Sequence, residues 1–159
     1  MRTIQKILCP VDFSTSSDEA LEYALQLAVF NQAHVHLLHV LPQINYYDWN
    51  TMSMYALISD ETFKKESEHL KVKLQTLVSN LQSRYPALGF SYEVNDTQNP
   101  ADGILHSAQE NKADLIVIGS HGRRGLDRLL MGSVAESVMR HAECAVMIFK
   151  QKATDTLAQ

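Results

Sequence analysis

Apolar runs and helix-spaced apolar stripes alternate along this chain, and the alternation sets the expected fold. Ile4 to Val11 is a short apolar run closed by Pro10-Val11-Asp12, the pattern of a buried strand. Ser16-Ser17-Asp18-Glu19 then fits a capping box, in which Ser16 and Glu19 each satisfy a free backbone N–H. Ala20, Leu21, Ala24, Leu25, Leu27 and Ala28 follow at helical spacing, with Asn31 as the stop. A second apolar run spans His34 to Leu41 and is closed by Pro42. From about Asp60 to Tyr85 the spacing predicts a long helix, with Leu70, Leu74, Leu77, Val78, Leu81 and Tyr85 on one stripe and Lys and Glu opposite. Leu88 to Val94 alternates apolar with polar or small residues, as an edge strand with one wet face does. Asn99-Pro100 opens a further helix with Asn as cap. Asp114 to Ile118 is a fourth strand, Ser133 to Arg140 a last helix, and Ala145 to Phe149 a fifth strand.

Strands separated by helices of this length pair in parallel through right-handed crossovers. The expected fold class is α/β: an open five-stranded parallel sheet with helices on both faces, formed as one domain by residues 1–150, with a short flexible tail at 151–159. Only Pro42 to Ser59 breaks the rhythm. It holds Tyr46, Tyr47, Trp49 and Tyr55, which fits a lid, a local hydrophobic plug or a partner surface, the last two favoured, with part of the loop mobile.

Composition narrows the class. The 159 residues are 45% hydrophobic and 20% charged, and 14 Lys plus Arg against 18 Asp plus Glu leave a formal charge of −4. An acidic excess argues against backbone-driven nucleic-acid binding. No apolar run approaches the roughly 18 residues of a membrane helix, and the first apolar run ends too early for a signal peptide. A soluble, cytoplasmic protein is expected. Cys9 and Cys144 fall in expected buried strands without cationic neighbours, so they read as small hydrophobes. His34 and His36 share a strand face while His39 points away; two histidines without a third ligand are a weak metal site, and no metal site is expected.

Chemistry concentrates in Ile118 to Val138. Gly119 ends a buried strand, Gly122 follows, and Gly132-Ser133 opens a helix, with Arg123, Arg124 and Arg128 between. Glycines at a strand exit admit close approach of backbone N–H groups, and a helix N-terminus adds free donors and partial positive charge. Together these make a phosphate cradle. The same residues also read as a glycine turn with Ser133 as an N-cap, and His121 as a solvated loop residue, so spacing alone leaves both open. No Gly-x4-Gly-Lys-Ser/Thr loop is present, and no Gly-x-Gly-x-x-Gly follows the first strand.

The spacing Gly119-x2-Gly122-x9-Gly132-Ser133 resembles the nucleotide-binding signature of the universal stress protein family, in its ATP-binding subgroup. Pro10-Val11-Asp12-Phe13-Ser14, the strand end His39-Val40 and the closing Cys144-Ala145-Val146-Met147-Ile148 are similar to that family as well. Two departures are Ile118, where Met is frequent, and Ala145, where Pro commonly follows the Cys. The resemblance implies a sheet ordered 3-2-1-4-5 with its ligand over the ends of strands 1 and 4. It implies ATP or AMP as ligand, with any Mg carried on the phosphates. Val40 would hold adenine through its backbone, and Asp12 would sit near the adenosine and any bound metal. Gly119 and Ser120 would approach the ribose and α-phosphate. Gly122, Gly132, Ser133 and Val134 would grip the β and γ positions beside Met131. His121 and Arg123 would lie inside the cradle, while Asp12 also reads as an ordinary turn Asp.

Three functions follow as alternatives: a nucleotide-dependent stress or signalling module with little turnover, a slow ATP hydrolase or nucleotidyl transferase using the same pocket, and a nucleotide-free dimeric interaction module. The intact glycines weigh against the last, and the lack of a carboxylate placed to activate water weighs against the second. Ala145 to Phe149 is expected as an unprotected sheet edge, which predicts a homodimer through that strand. A protein partner is expected without a chemistry that names it.

Overall fold

The structure, a computed structural model, describes residues 3–42, 55–120 and 131–150. Nine elements follow in order: β1 (Lys6–Pro10), α1 (Thr15–Asn31), β2 (His34–Pro42), α2 (Tyr55–Arg84), β3 (Phe90–Thr97), α3 (Pro100–Glu110), β4 (Leu115–Gly119), α4 (Ser133–His141) and β5 (Ala145–Phe149). The strands form one parallel sheet in the order β3-β2-β1-β4-β5. This is the expected open α/β architecture.

The strand pleat divides the core in two. Ile7, Cys9, Val35, Leu37 and Val117 face α1 and α2, meeting Leu21, Leu25, Leu74 and Leu81. Leu8, Leu38, Ile116 and Ile118 face α3 and α4, meeting Ile104, Ala108, Ala135 and Val138. Central strands buried on both faces need near-continuous apolar sequence, which explains the unbroken runs in β1 and β4. Each fully buried Leu, Ile or Val adds about 1.5–3 kcal/mol of burial free energy. The outer strands β3 and β5 keep half-exposed positions.

The helix ends show where the sequence reading needs correction. The cap of α1 is Ser14, whose Oγ accepts from the Ser17 N–H at 3.2 Å, two residues before the expected Ser16. Ser16 Oγ and Glu19 Oε2 are buried and make no hydrogen bond, so the Ser16–Glu19 capping box does not form. Asn31 does end α1, with Gln32 in the left-handed region returning its N–H to Ala28. Asn99 caps α3 as expected, accepting from the Ala101 N–H at 3.0 Å. The long helix starts at Tyr55 rather than about Asp60, so the end of the irregular stretch is helical. Tyr46, Tyr47 and Trp49 lie outside the described residues, as does the tail 151–159. β3 begins at Phe90, with Leu88 buried ahead of it, and Cys144 precedes β5, half-buried, rather than lying within a buried strand.

Helices α1 and α2 cover one face and α3 and α4 the other, so the winding reverses between β1 and β4. Such a reversal leaves a crevice at the C-terminal strand ends, where α/β sheets bind ligands.

Candidate functional site

On the β1 side of this crevice the backbone is tied down at Val11, Asp12 and Ser14. Pro10 and Val11 are buried. The Val11 N–H donates to Leu38 O at 2.8 Å, and its carbonyl accepts from His39 Nδ1 at 2.7 Å. Asp12 Oδ1 then accepts from the Ser14 N–H at 3.0 Å and from Ser14 Oγ at 2.5 Å, an Asx turn that swings the chain into α1. Asp12 therefore does close the turn, as one of its two sequence readings held. Phe13 sits at φ 60°, an unusual conformation for a side chain of that size. Its ring stacks on His39 with centroids 5.4 Å apart, and Lys73 Nζ of α2 lies 3.7 Å from its centroid. Lys73 was not visible as a site neighbour in sequence, because it falls on the polar stripe of α2 like the lysines around it.

On the β4 side, Gly119 answers a packing demand. A Cβ there would stand 2.5 Å from Ser16 Oγ and 2.9 Å from the Ser16 carbonyl, so only glycine lets the first turn of α1 rest on the end of β4. Ser120 is buried; its N–H donates to Phe149 O and its carbonyl accepts from the Gly132 N–H, both at 2.8 Å. The second bond brings Gly119-Ser120 and Gly132-Ser133 together in space, and the first leaves Ser120 no backbone N–H to offer a ligand.

Gly132 is the N-cap of α4 and supplies no capping hydrogen bond. The N–H groups of Ser133, Val134 and Ala135 open the helix without intrahelical acceptors. Ser133 is exposed, while Val134 and Met131 pack against the α3/α4 core. His121, Gly122 and Arg123, together with Arg124 and Arg128, lie outside the described residues.

Val40 completes the crevice from β2. His34 N–H and Leu38 C=O bond toward β1, whereas Val35 N–H bonds toward β3, so even-numbered residues of β2 direct their backbone groups to the β1 side. The last β1–β2 pair is Pro10 with Leu38, while β2–β3 pairing runs on to Pro42. The N–H and C=O of Val40 thus face the position β1 has vacated. Of the residues singled out in sequence, Val40, Asp12, Gly119, Ser120, Gly132, Ser133 and Val134 converge on the strand ends.

The remaining candidates are structural. Burial pushes the Cys9 thiol up to about 12 and raises that of Cys144, so neither is a poised thiolate. Among the described residues no cluster of His, Cys, Asp and Glu could hold a metal ion. No helix among them is long and apolar enough to cross a membrane.

This sheet order has counterparts in known proteins. A family model described as the universal stress protein family matches residues 3–150. This chain belongs to the universal stress protein family. It is 32% identical to universal stress protein MJ0531 of Methanocaldococcus jannaschii over 92% of this chain and 82% of that one. The solved structure of MJ0577, from the same organism, superposes with a TM-score of 0.80 at 26% identity, covering 95% of this chain and 99% of that one. Universal stress protein UspA from Lactobacillus plantarum gives the same TM-score at 25% identity, with 94% and 99% covered. These universal stress proteins share the fold described above.

Proposed function

We propose that this universal stress protein binds an adenine nucleotide, ATP or AMP, at the β1/β4 crevice and acts as a nucleotide-dependent module with little or no turnover. The observation that carries the reading is Gly132. Its φ of −64° and ψ of 147° are open to any residue, so the backbone does not require glycine. A Ser or Asp there would cap α4 and add a few tenths of a kcal/mol. Glycine instead leaves three N–H groups and the positive end of the helix dipole for an outside acceptor, the arrangement that suits phosphate. Val40, with its backbone donor and acceptor facing the same crevice, is suited to an adenine edge. Pro10, Val11, Asp12, Phe13 and Ser14 shape the wall, Gly119 and Ser120 the floor, and Met131, Ser133 and Val134 the phosphate end. His121, Gly122 and Arg123 belong to this reading through their places beside the glycines in the sequence, and any Mg would arrive with the phosphates.

The direct test is calorimetric titration of ATP and AMP into the wild type and a Gly132→Asp variant. A carboxylate at the cap repels phosphate and occupies the N–H groups, so affinity should fall about 10- to 150-fold, the equivalent of about 1.5–3 kcal/mol. Equal affinity in a folded variant would overturn the reading. Steady-state hydrolysis should stay far below about 1 s⁻¹, since Asp12, the carboxylate at this strand end, commits Oδ1 to its own turn. A robust turnover abolished by Asp12→Asn would favour the hydrolase instead.

The β5 edge supports a homodimer within the same proposal. Ala145 and Met147 are exposed along a strand with no neighbour on its outer side among the described residues. Met147→Pro removes a ladder donor, and sedimentation should then show loss of the dimer. A wild type monomeric at micromolar concentration would sink this assembly.

A further inference from the structure

A second chemical cluster lies on the α3 side of the sheet, at the β2–β3 edge and away from the crevice. His34 Nε2 and His36 Nδ1 both stand 2.7 Å from the same hydroxyl, Ser91 Oγ of β3. His36 Nε2 lies 3.3 Å from Glu93 Oε2, which also accepts from Ser107 Oγ of α3 at 2.9 Å. Asn95 Nδ2 donates to Glu93 Oε1 at 3.2 Å, and Asn111 Nδ2 donates to Ser107 Oγ at 3.3 Å. His36 is buried, and His34 is pressed against Gly89, where a Cβ would come within 2.6 Å of its Nδ1. Two strands and one helix are therefore joined through two imidazoles, two hydroxyls and one carboxylate. The nucleotide reading uses none of them.

Donor and acceptor counting fixes the proton positions. An ionised Glu93 only accepts, so His36 Nε2 carries a hydrogen and, in the neutral ring, Nδ1 is an acceptor. Ser91 must then donate its one hydrogen to His36, leaving its oxygen to accept from His34 Nε2–H. Every group is satisfied with both rings neutral. One added proton is also accommodated: it lands on His36 Nδ1, Ser91 turns its hydrogen to His34 Nε2, and His34 moves its own hydrogen to Nδ1. A second added proton is not. Both rings would then donate to one oxygen, the Ser91 hydrogen would lose its acceptor, and two cations would abut across a single hydroxyl.

We propose that His34, Ser91, His36 and Glu93 form an acid-sensing clasp, which takes up one proton by shifting hydrogens alone and releases the β3 edge from β2 on the second. Charges around the pair agree with this order. Glu93 of β3 lies 3.3 Å from His36, whereas Lys6 of β1 and His36 itself act against a charge on His34. From α3 the groups that reach the cluster, Ser107 and Asn111, are uncharged, and its His106 and Glu110 are exposed. Burial is the largest influence on His34 and holds its pKa below the ordinary value of 6.5. The second proton therefore enters only under acid stress.

The test is imidazole nitrogen NMR on the full-length protein from about pH 8 to about pH 4.5, with amide exchange of β3 in parallel. Neutral His36 should carry its hydrogen on Nε2, and the two rings should titrate as a coupled pair, His34 last. Exchange of the Ser91–Asn95 amides, corrected for intrinsic chemistry, should speed up about tenfold or more over the second step. In Ser91→Ala the coupling should vanish and the rings titrate independently. Independent titrations in the wild type, an Nδ1–H tautomer of neutral His36, or β3 protection unchanged through both steps would each overturn the clasp. Should Ser91→Ala fail to fold, the wild-type tautomer and exchange profile decide the question by themselves.

Discussion

Two helices begin at the crevice, and their first turns are finished in opposite ways. At α1, Ser14 Oγ accepts from Ser17 N–H, Ser17 Oγ donates back to Ser14 O at 3.0 Å, and Asp18 adds a negative charge in the first turn. At α4, Gly132 offers no side chain, and the nearby carboxylate, Glu136, is held by Arg140 at 2.8 Å. One helix start is closed by its own residues and the other is left open, within one crevice and in one chain. Glycine in place of a capping side chain costs a few tenths of a kcal/mol. The difference separates a terminus built for stability from one whose donors are kept for something outside the chain.

The comparison breaks most severely at Gly119, where the closed terminus meets the sheet. Gly119→Val would drive a branched side chain into Ser16, whose backbone carbonyl already lies 2.9 Å from a Cβ position. Neither the β4 end nor the first turn of α1 can yield without breaking the ladder or the cap, so the cost should be about 3 kcal/mol or more. Chemical denaturation measures it. A loss under about 1 kcal/mol would mean that the approach of α1 does not dictate this glycine.

At the open terminus, stability and binding should move in opposite directions. Gly132→Asp should hold or raise fold stability by a few tenths of a kcal/mol, since Asp is a better cap than Gly. The same change should weaken nucleotide binding by the 10- to 150-fold given above. A variant that loses both together would show that Gly132 is needed by the fold rather than by a ligand.

Much of this contrast was legible in the sequence, and the part that was not has a physical reason. Period and punctuation place all five strands in α/β order, because central strands buried on both faces must be apolar throughout. Asn99-Pro100 names its own cap, since Pro fixes the first helical turn. Ser14, Ser16 and Ser17 are chemically equivalent as caps, and only the Asp12 turn, which needs Phe13 at φ 60°, decides that Ser14 takes the role. Gly119 and Gly132 look alike on the page. One is explained by a neighbour more than a hundred positions away in sequence and the other by the absence of a cap, and neither fact is local. The clasp was half visible: His34 and His36 share a face by simple alternation, but Ser91 and Glu93 join them only through the β2–β3 register, and Ser107 only through the packing of α3.

A smaller effect sharpens the closed terminus. Ser14→Ala removes the acceptor for Ser17 N–H and one of the two donors to Asp12 Oδ1. Stability should fall by about 1 kcal/mol, within the usual range of 0.5–2 for a lost cap. Gly132→Ser in the same background should add the same few tenths of a kcal/mol as it does in the wild type, because α1 and α4 are capped independently. Additive denaturation midpoints would confirm that independence.

The smallest effect lies outside the crevice and shows whether the two ends of the sheet respond separately. His34 is held below its ordinary pKa of 6.5 in the folded chain, mainly by burial and then by the charges of His36 and Lys6. Below that ordinary value the unfolded chain binds this proton while the folded chain does not, so stability falls as pH drops from about 6.5 toward the lowered folded pKa. Past the folded value this residue contributes no further change, and above about 6.5 it contributes none either. His34→Asn keeps an N–H donor for Ser91 without a titrating ring. Its stability should therefore match the wild type at about pH 7.5 and decline less steeply toward about pH 5, while nucleotide affinity at neutral pH stays the same. Urea midpoints across that range provide the measurement. Parallel curves for the two proteins would remove His34 from the acid response, and a change in neutral-pH affinity would show that the edge and the crevice are coupled.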